Sequence, residues 1–197
     1  MEVLELAKSR RSIRSYMSDR VPLKDVKYIV EVARNAPSGA NRQPWRFLVI
    51  RDPKAKKRIR DACEKVERDF HERADPELKK WLRARGITWK KPFLTEAPIL
   101  ILVFGKRNEP YWVESVWIAI GYMLLAVEEL GYSTLTYTPS KTNWANDLLN
   151  IPRDYELQAI LPVGKPRKLN GPRPRLSLEE LCYIDEWGKS FTTSPRS

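Results

Sequence analysis

Residues 98–131, PILILVFGKRNEPYWVESVWIAIGYMLLAVEELG, decide how the rest of the chain is read. Pro98–Gly105 is a continuous run of Ile, Leu, Val and Phe, which predicts a buried strand at the centre of a sheet. Tyr111–Leu130 predicts a helix whose apolar residues, among them Val116, Trp117, Ile120, Met123 and Val127, fall on nearly every side. Gly131 is its stop. A helix of that kind is buried either within a large domain or against a partner subunit.

The flanking segments supply the layers around that pair. Trp45–Ile50 (WRFLVI), Tyr132–Tyr137 and Leu157–Val163 each predict a strand, and a short helix falls around Asn143–Leu149. Glu2–Ser9 predicts a short amphipathic helix. A second helix begins after Pro22 and carries Leu23, Val26, Ile29, Val30 and Ala33 on one face. A heavily charged third helix spans roughly Lys54–Glu72. Leu78–Phe93 follows neither the strand nor the helix period, and a mobile flap is expected at about residues 67–93. The order predicts an α+β fold, an α-β-α sandwich with one sheet, in a single domain over residues 1–197.

The 197 residues carry 36 Lys and Arg against 25 Asp and Glu, a net charge of +11. Such an excess points to anionic partners: nucleic acid, a membrane surface or a phosphate-bearing ligand. With 42% hydrophobic residues the chain is not a disordered polycation. Its longest uncharged run, Ser115–Val127, is short of the ~20 residues that span a bilayer. The N-terminal residues hold no signal-like apolar stretch, and two cysteines cannot form a disulfide framework. A cytoplasmic protein outside the membrane is therefore expected, with no metal site. The basic residues of Lys54–Lys91 are interleaved with Glu64, Glu67, Asp69, Glu72, Asp75 and Glu77. That pattern speaks against a nucleic-acid stripe.

Two segments hold candidate chemistry. Arg10-Arg11-Ser12-Ile13-Arg14 places three guanidiniums and a hydroxyl within five residues, a set able to bind phosphate through charge-assisted hydrogen bonds. Pro37-Ser38-Gly39-Ala40-Asn41-Arg42-Gln43-Pro44-Trp45 is a polar loop in which Gly39 permits close approach of a ligand. Taken alone, the first is equally well a solvated basic turn and the second an ordinary loop.

In this order and register the two segments resemble the nitroreductase family of FMN enzymes, as do the buried helix before Gly131, Thr138-Pro139 and Leu161–Pro166. The resemblance implies a nitroreductase-like sandwich with a single mixed sheet, and an FMN-binding homodimer with active sites at the subunit interface. It implies that Arg10, Arg11, Ser12, Ile13 and Arg14 bind the cofactor, joined by Arg175. Pro37 and Ser38 would line the flavin, with Thr136, Tyr137 and Thr138 along its other edge.

Within that family the match is closest to the iodotyrosine deiodinase branch, through Pro37–Ala40 followed by Pro44-Trp45, Ala97–Leu102 (APILIL) and Thr136–Pro139 (TYTP). That implies reductive dehalogenation of a halogenated tyrosine or related phenol. The alternative is a general NAD(P)H-dependent nitro- or quinone reductase. Glu67, His71 and Lys91 correspond to the branch's substrate clamp, with His71 standing where the branch has Tyr. Ala40 would offer its N–H to the substrate oxygen, and the Thr138 hydroxyl would bond flavin N5 and favour one-electron steps. The implied partners are a small aromatic substrate and an electron donor, NAD(P)H or a separate reductase.

Overall fold

The centre of the fold is β2 (Ile99–Lys106), which pairs antiparallel with β1 (Trp45–Ile50) on one side and β3 (Tyr155–Val163) on the other. The structure is a computed structural model that describes residues 2–169 and 171–190. Helices cover both faces of the sheet. Ile99, Ile101 and Val103 turn toward α2 (Leu23–Arg34) and α6 (Trp112–Glu129), while Leu100, Leu102 and Phe104 turn toward α3 (Pro53–Arg73) and α5 (Phe93–Glu96). The unbroken apolar run of β2 follows from this double burial, since neither face meets water. Ladder register slips between Val103 and Phe104, so Phe104 faces Leu157 while Val103 faces Ala159.

The remaining helices are α1 (Val3–Ser9), α4 (Pro76–Ala84), α7 (Trp144–Leu149) and α8 (Leu178–Leu181). Three departures from the sequence reading have physical causes. The stretch Tyr132–Tyr137 is not a strand. It touches β3 and its end only through bridges Tyr137–Ile160 and Ser133–Gly164, while the Thr134 carbonyl turns away to accept the Ile13 N–H at 3.1 Å. The three strands of the sheet all pair antiparallel, and the parallel element of the mixed sheet implied by the resemblance is reduced to an isolated bridge, Ser12–Thr134, outside the named strands.

The second departure is α4, inside the segment read as a flap without periodicity. The Asp75 carboxylate accepts the Leu78 N–H at 2.8 Å, Pro76 opens the first turn, and only Leu82 of the helix is buried. Its apolar face is only Leu78 and Leu82, one turn apart, too short a pattern to show a period in the sequence. The third is α8, started by a reciprocal capping box between Ser177 and Glu180 in the tail. On α6 the apolar residues do not all find cover, and Val113, Trp117, Ile118 and Tyr122 remain 37–42% exposed.

Candidate active site

The turn after α1 and the basic tail meet. Arg10, Arg11, Ser12 and Arg14 line one side of an open cleft of about 770 Å³, and Arg173 and Arg175 line the other. Among the described residues none of these five guanidiniums pairs with a carboxylate, and no acid stands in the wall. Arg10 reaches the Ser12 hydroxyl at 3.5 Å, and Arg11 donates to the Arg10 carbonyl at 2.9 Å. Like charges held this close repel one another, so the cleft gains from a polyanionic guest. It fits the phosphate of a nucleotide-like cofactor such as FMN. Ile13 stands apart from this wall: its side chain is 1% exposed in the core.

The loop before β1 carries the densest backbone strain. Ala40, Asn41 and Gln43 adopt φ of 48°, 55° and 47°, the left-handed region that side chains with a Cβ rarely enter. Surrounding contacts enforce it. The Ser38 hydroxyl accepts the Gln43 N–H at 3.1 Å, and the Gly39 N–H donates to the Ser115 hydroxyl on α6 at 3.2 Å. Arg42 pairs with Glu109 on the β2–α6 turn and holds that carboxyl below the ordinary carboxylate range. The tie is present above that range and is lost as pH falls through the lowered value. Strain enforced by its surroundings marks a site where the backbone itself is presented to a ligand.

Gly39 leaves no room for a side chain, because a Cβ there would lie 2.8 Å from a Tyr111 ring carbon and 2.9 Å from the Pro110 carbonyl oxygen. Gly39→Ala is expected to cost about 1–3 kcal/mol through overpacking, a fall in Tm of roughly 2–12 °C by thermal unfolding.

The third group lies on α3 and the segment after α4. The buried stripe of α3 runs Lys56, Ile59, Cys63, Glu67, which carries a carboxylate into the interior at its last position. Glu67 and Lys91 are 8% and 7% exposed and form an ion pair at 3.3 Å. The second Glu67 oxygen accepts the Ser140 N–H at 2.9 Å, and Lys91 Nζ also donates to the Thr88 carbonyl at 2.6 Å. The Lys91 N–H donates to Glu64, which is held in turn by Arg60. His71 stands one turn beyond Glu67, half-buried, its ring edge-on to Phe70. Lys91 Nζ lies 5.8 Å from the centre of the Tyr137 ring, and burial, followed by the nearby Cys63 and Glu67, pushes the Tyr137 hydroxyl far up.

The sequence-derived residues thus fall into three places. Arg10, Arg11, Ser12, Arg14 and Arg175 share the cleft; Pro37, Ser38 and Ala40 stand on the strained loop, outside it. Glu67 and Lys91 are in contact, with Tyr137 beside them, while Thr136 is half-buried and Thr138 exposed on the same stretch. Sequence reasoning missed Arg173, which the Arg-Pro-Arg spacing puts beside Arg175 in the wall. It also missed Ser140, whose part is played by a backbone N–H that no side-chain pattern reveals.

A basic cleft, a strained backbone loop ahead of the first strand and a buried ion pair tied to Ser140 are thus the chemically distinctive features of the chain. Residues 7–165 match the nitroreductase family, and the chain belongs to it. It is 45% identical over 177 residues to the iodotyrosine deiodinase of Thermotoga neapolitana, a match covering 90% of this chain and 94% of that protein. It is 38% identical over 176 residues to the iodotyrosine deiodinase of Haliscomenobacter hydrossis, over 84% of this chain and 79% of the relative. An oxidized iodotyrosine deiodinase crystallised with FMN and 3-iodo-L-tyrosine superposes with a TM-score of 0.85 at 45% identity, over 89% of this chain and 96% of that one.

Proposed function

We propose that this chain is an FMN-dependent oxidoreductase that reductively removes halogen from a halotyrosine or a related phenol. The observation that carries the reading is the buried Glu67–Lys91 pair. Two opposite charges on a flap are what a zwitterionic amino acid needs, the carboxylate for its ammonium and the ammonium for its carboxylate. A general nitroarene reductase has no use for either charge.

FMN, when bound, supplies the two electrons that, with one proton, replace the carbon–iodine bond by carbon–hydrogen and release iodide. Arg10, Arg11, Ser12 and Arg175 would hold its phosphate, and Arg14, from the same wall, would reach the pyrimidine side of its ring. Pro37, Ser38 and Thr136 would flank the ring, and Ile13 and Tyr137, whose side chains are buried, would contribute backbone. The Ala40 N–H, presented by the strained loop, hydrogen-bonds the phenolic oxygen and favours first the phenolate and then its keto tautomer. The exposed Thr138 hydroxyl would hydrogen-bond the flavin at N5. Glu67 and Lys91 grip the amino-acid end with His71 beside them, and the flap at about residues 67–93 shuts water out.

The reading extends to a homodimer with sites at the subunit interface, in which the exposed face of α6 (Val113, Trp117, Ile118, Tyr122) finds its cover. NAD(P)H or a separate reductase is the electron donor. No helix among the described residues is long and apolar enough to cross a membrane, and both cysteines are unpaired, in keeping with a reducing cytoplasm.

Titrating the FMN-loaded protein with 3-iodotyrosine is expected to quench the flavin fluorescence to saturation. Absence of quenching at high ligand concentration, with brisk NAD(P)H-driven reduction of nitroarenes, would overturn this reading in favour of a general nitroreductase.

A further inference from the structure

Tyr137 is 7% exposed, and its hydroxyl is the buried side-chain polar atom without a hydrogen-bond partner among the described residues. Leaving a buried hydroxyl unpaired costs on the order of one hydrogen bond, so its position calls for a reason. The ring cannot easily turn away. The backbone is fixed on both sides, the Tyr137 N–H donating to the Ile160 carbonyl at 3.1 Å and the Ile160 N–H to the Tyr137 carbonyl at 2.8 Å. Phe93 packs edge-on against the ring at 5.4 Å.

The groups around the hydroxyl are the Cys63 thiol, a weak acceptor, and the Glu67 carboxylate, while Lys91 stands toward the ring. Tyr137 therefore stands beside both halves of the charged pair on a rigid element, with its hydroxyl out of hydrogen-bonding geometry to either neighbour. In the ligand-free chain Glu67 is already supplied by Lys91 on one oxygen and by Ser140 on the other. A zwitterionic ligand changes that geometry rather than the count of donors. Its carboxylate draws Lys91 away, its ammonium takes the place of Lys91 on Glu67, and the Glu67 carboxylate, no longer held by Lys91, re-aims a remaining lone pair at the Tyr137 hydroxyl.

Resting on the function proposed above, we infer that Tyr137 is a positioning residue for the substrate clamp. Its hydroxyl, unpaired in the ligand-free chain, donates to Glu67 once an amino-acid ligand has parted Glu67 from Lys91. A bond made only in the liganded state adds its whole free energy to ligand affinity. It also adds selectivity, because a phenol without the amino-acid end leaves the Glu67–Lys91 pair closed and the hydroxyl still unpaired.

The test is Tyr137→Phe in the full chain loaded with FMN, titrated by flavin fluorescence with 3-iodotyrosine and with 2-iodophenol. Expected are a roughly tenfold weaker Kd for iodotyrosine, the size of one hydrogen bond to a charged group, and an unchanged Kd for iodophenol. The ligand-free Tm is expected to hold or rise, since the substitution orphans no other group. In a Glu67→Gln background, Tyr137→Phe is expected to have little further effect on iodotyrosine binding.

Unchanged iodotyrosine affinity in Tyr137→Phe, or equal weakening toward both ligands with a lower Tm, would overturn the inference and leave the function reading standing. A wild-type protein that binds iodophenol but not iodotyrosine overturns both.

Discussion

Lys91→Met lowers the stability of the ligand-free protein by about 3 kcal/mol and removes its affinity for zwitterionic ligands. The stability figure follows from the burial of the pair. With Glu67 8% exposed, deleting its cation leaves a carboxylate stranded away from water, a change worth ~3–5 kcal/mol in comparable settings. The lower end applies because the Ser140 N–H still bonds one carboxylate oxygen. For a chain of this length that is a fall in Tm of roughly 6–12 °C. Glu67→Gln combined with Lys91→Met is expected to recover most of the loss, since a neutral amide in place of the carboxylate no longer needs a cation. The binding defect is expected to persist in the double variant. Thermal unfolding of the four proteins gives the coupling energy directly. Additive losses, with no recovery in the double variant, would mean that Glu67 and Lys91 act on stability separately.

The legible parts of this protein were those where one residue type can satisfy the local physics in only one way. A strand buried on both faces must be apolar throughout, so β2 could be read to within a residue at either end. The amphipathic stripe of α2 and the proline just before it, Pro22, announced themselves in the same way. Less visible was anything settled by backbone partners. Tyr132–Tyr137 has strand composition, but the Thr134 carbonyl is claimed by Ile13, and a sequence does not tell which neighbour a carbonyl will find. The helix α4 hid because a nine-residue helix with Leu78 and Leu82 as its apolar face is too short to show a period.

The site divides along the same line. Arg10, Arg11 and Arg14 are dense enough in sequence to stand out, whereas Arg173 joins them only because the tail folds back across the cleft. Glu67 and Lys91 lie far apart in the chain, and only the resemblance to a clamp linked them. The fold explains how they meet: Glu67 is the last member of the buried stripe of α3, and Lys91 enters from the turn before α5. The unpaired hydroxyl of Tyr137 has no sequence signature at all, because a missing partner is a property of the packed state.

Arg10→Ala combined with Arg11→Ala is expected to weaken FMN binding at least a hundredfold while leaving riboflavin binding nearly unchanged. Each charge-assisted hydrogen bond to a phosphate oxygen is worth ~1.5–3 kcal/mol, and two of them span two to four decades of affinity. Riboflavin differs from FMN only in lacking the phosphate, so the comparison isolates the cleft from the contacts of the ring. The apo protein responds in the opposite sense. Five guanidiniums without carboxylate partners among the described residues repel one another, so removing two leaves the ligand-free Tm unchanged or slightly higher. Added salt narrows the gap between the two proteins, since charges at the mouth of an open cleft are screened over about 8 Å at physiological ionic strength. Purified protein that stays yellow through gel filtration with both arginines gone would place the phosphate elsewhere. Equal losses for FMN and riboflavin would show that the substitutions disturb the fold rather than an anion site.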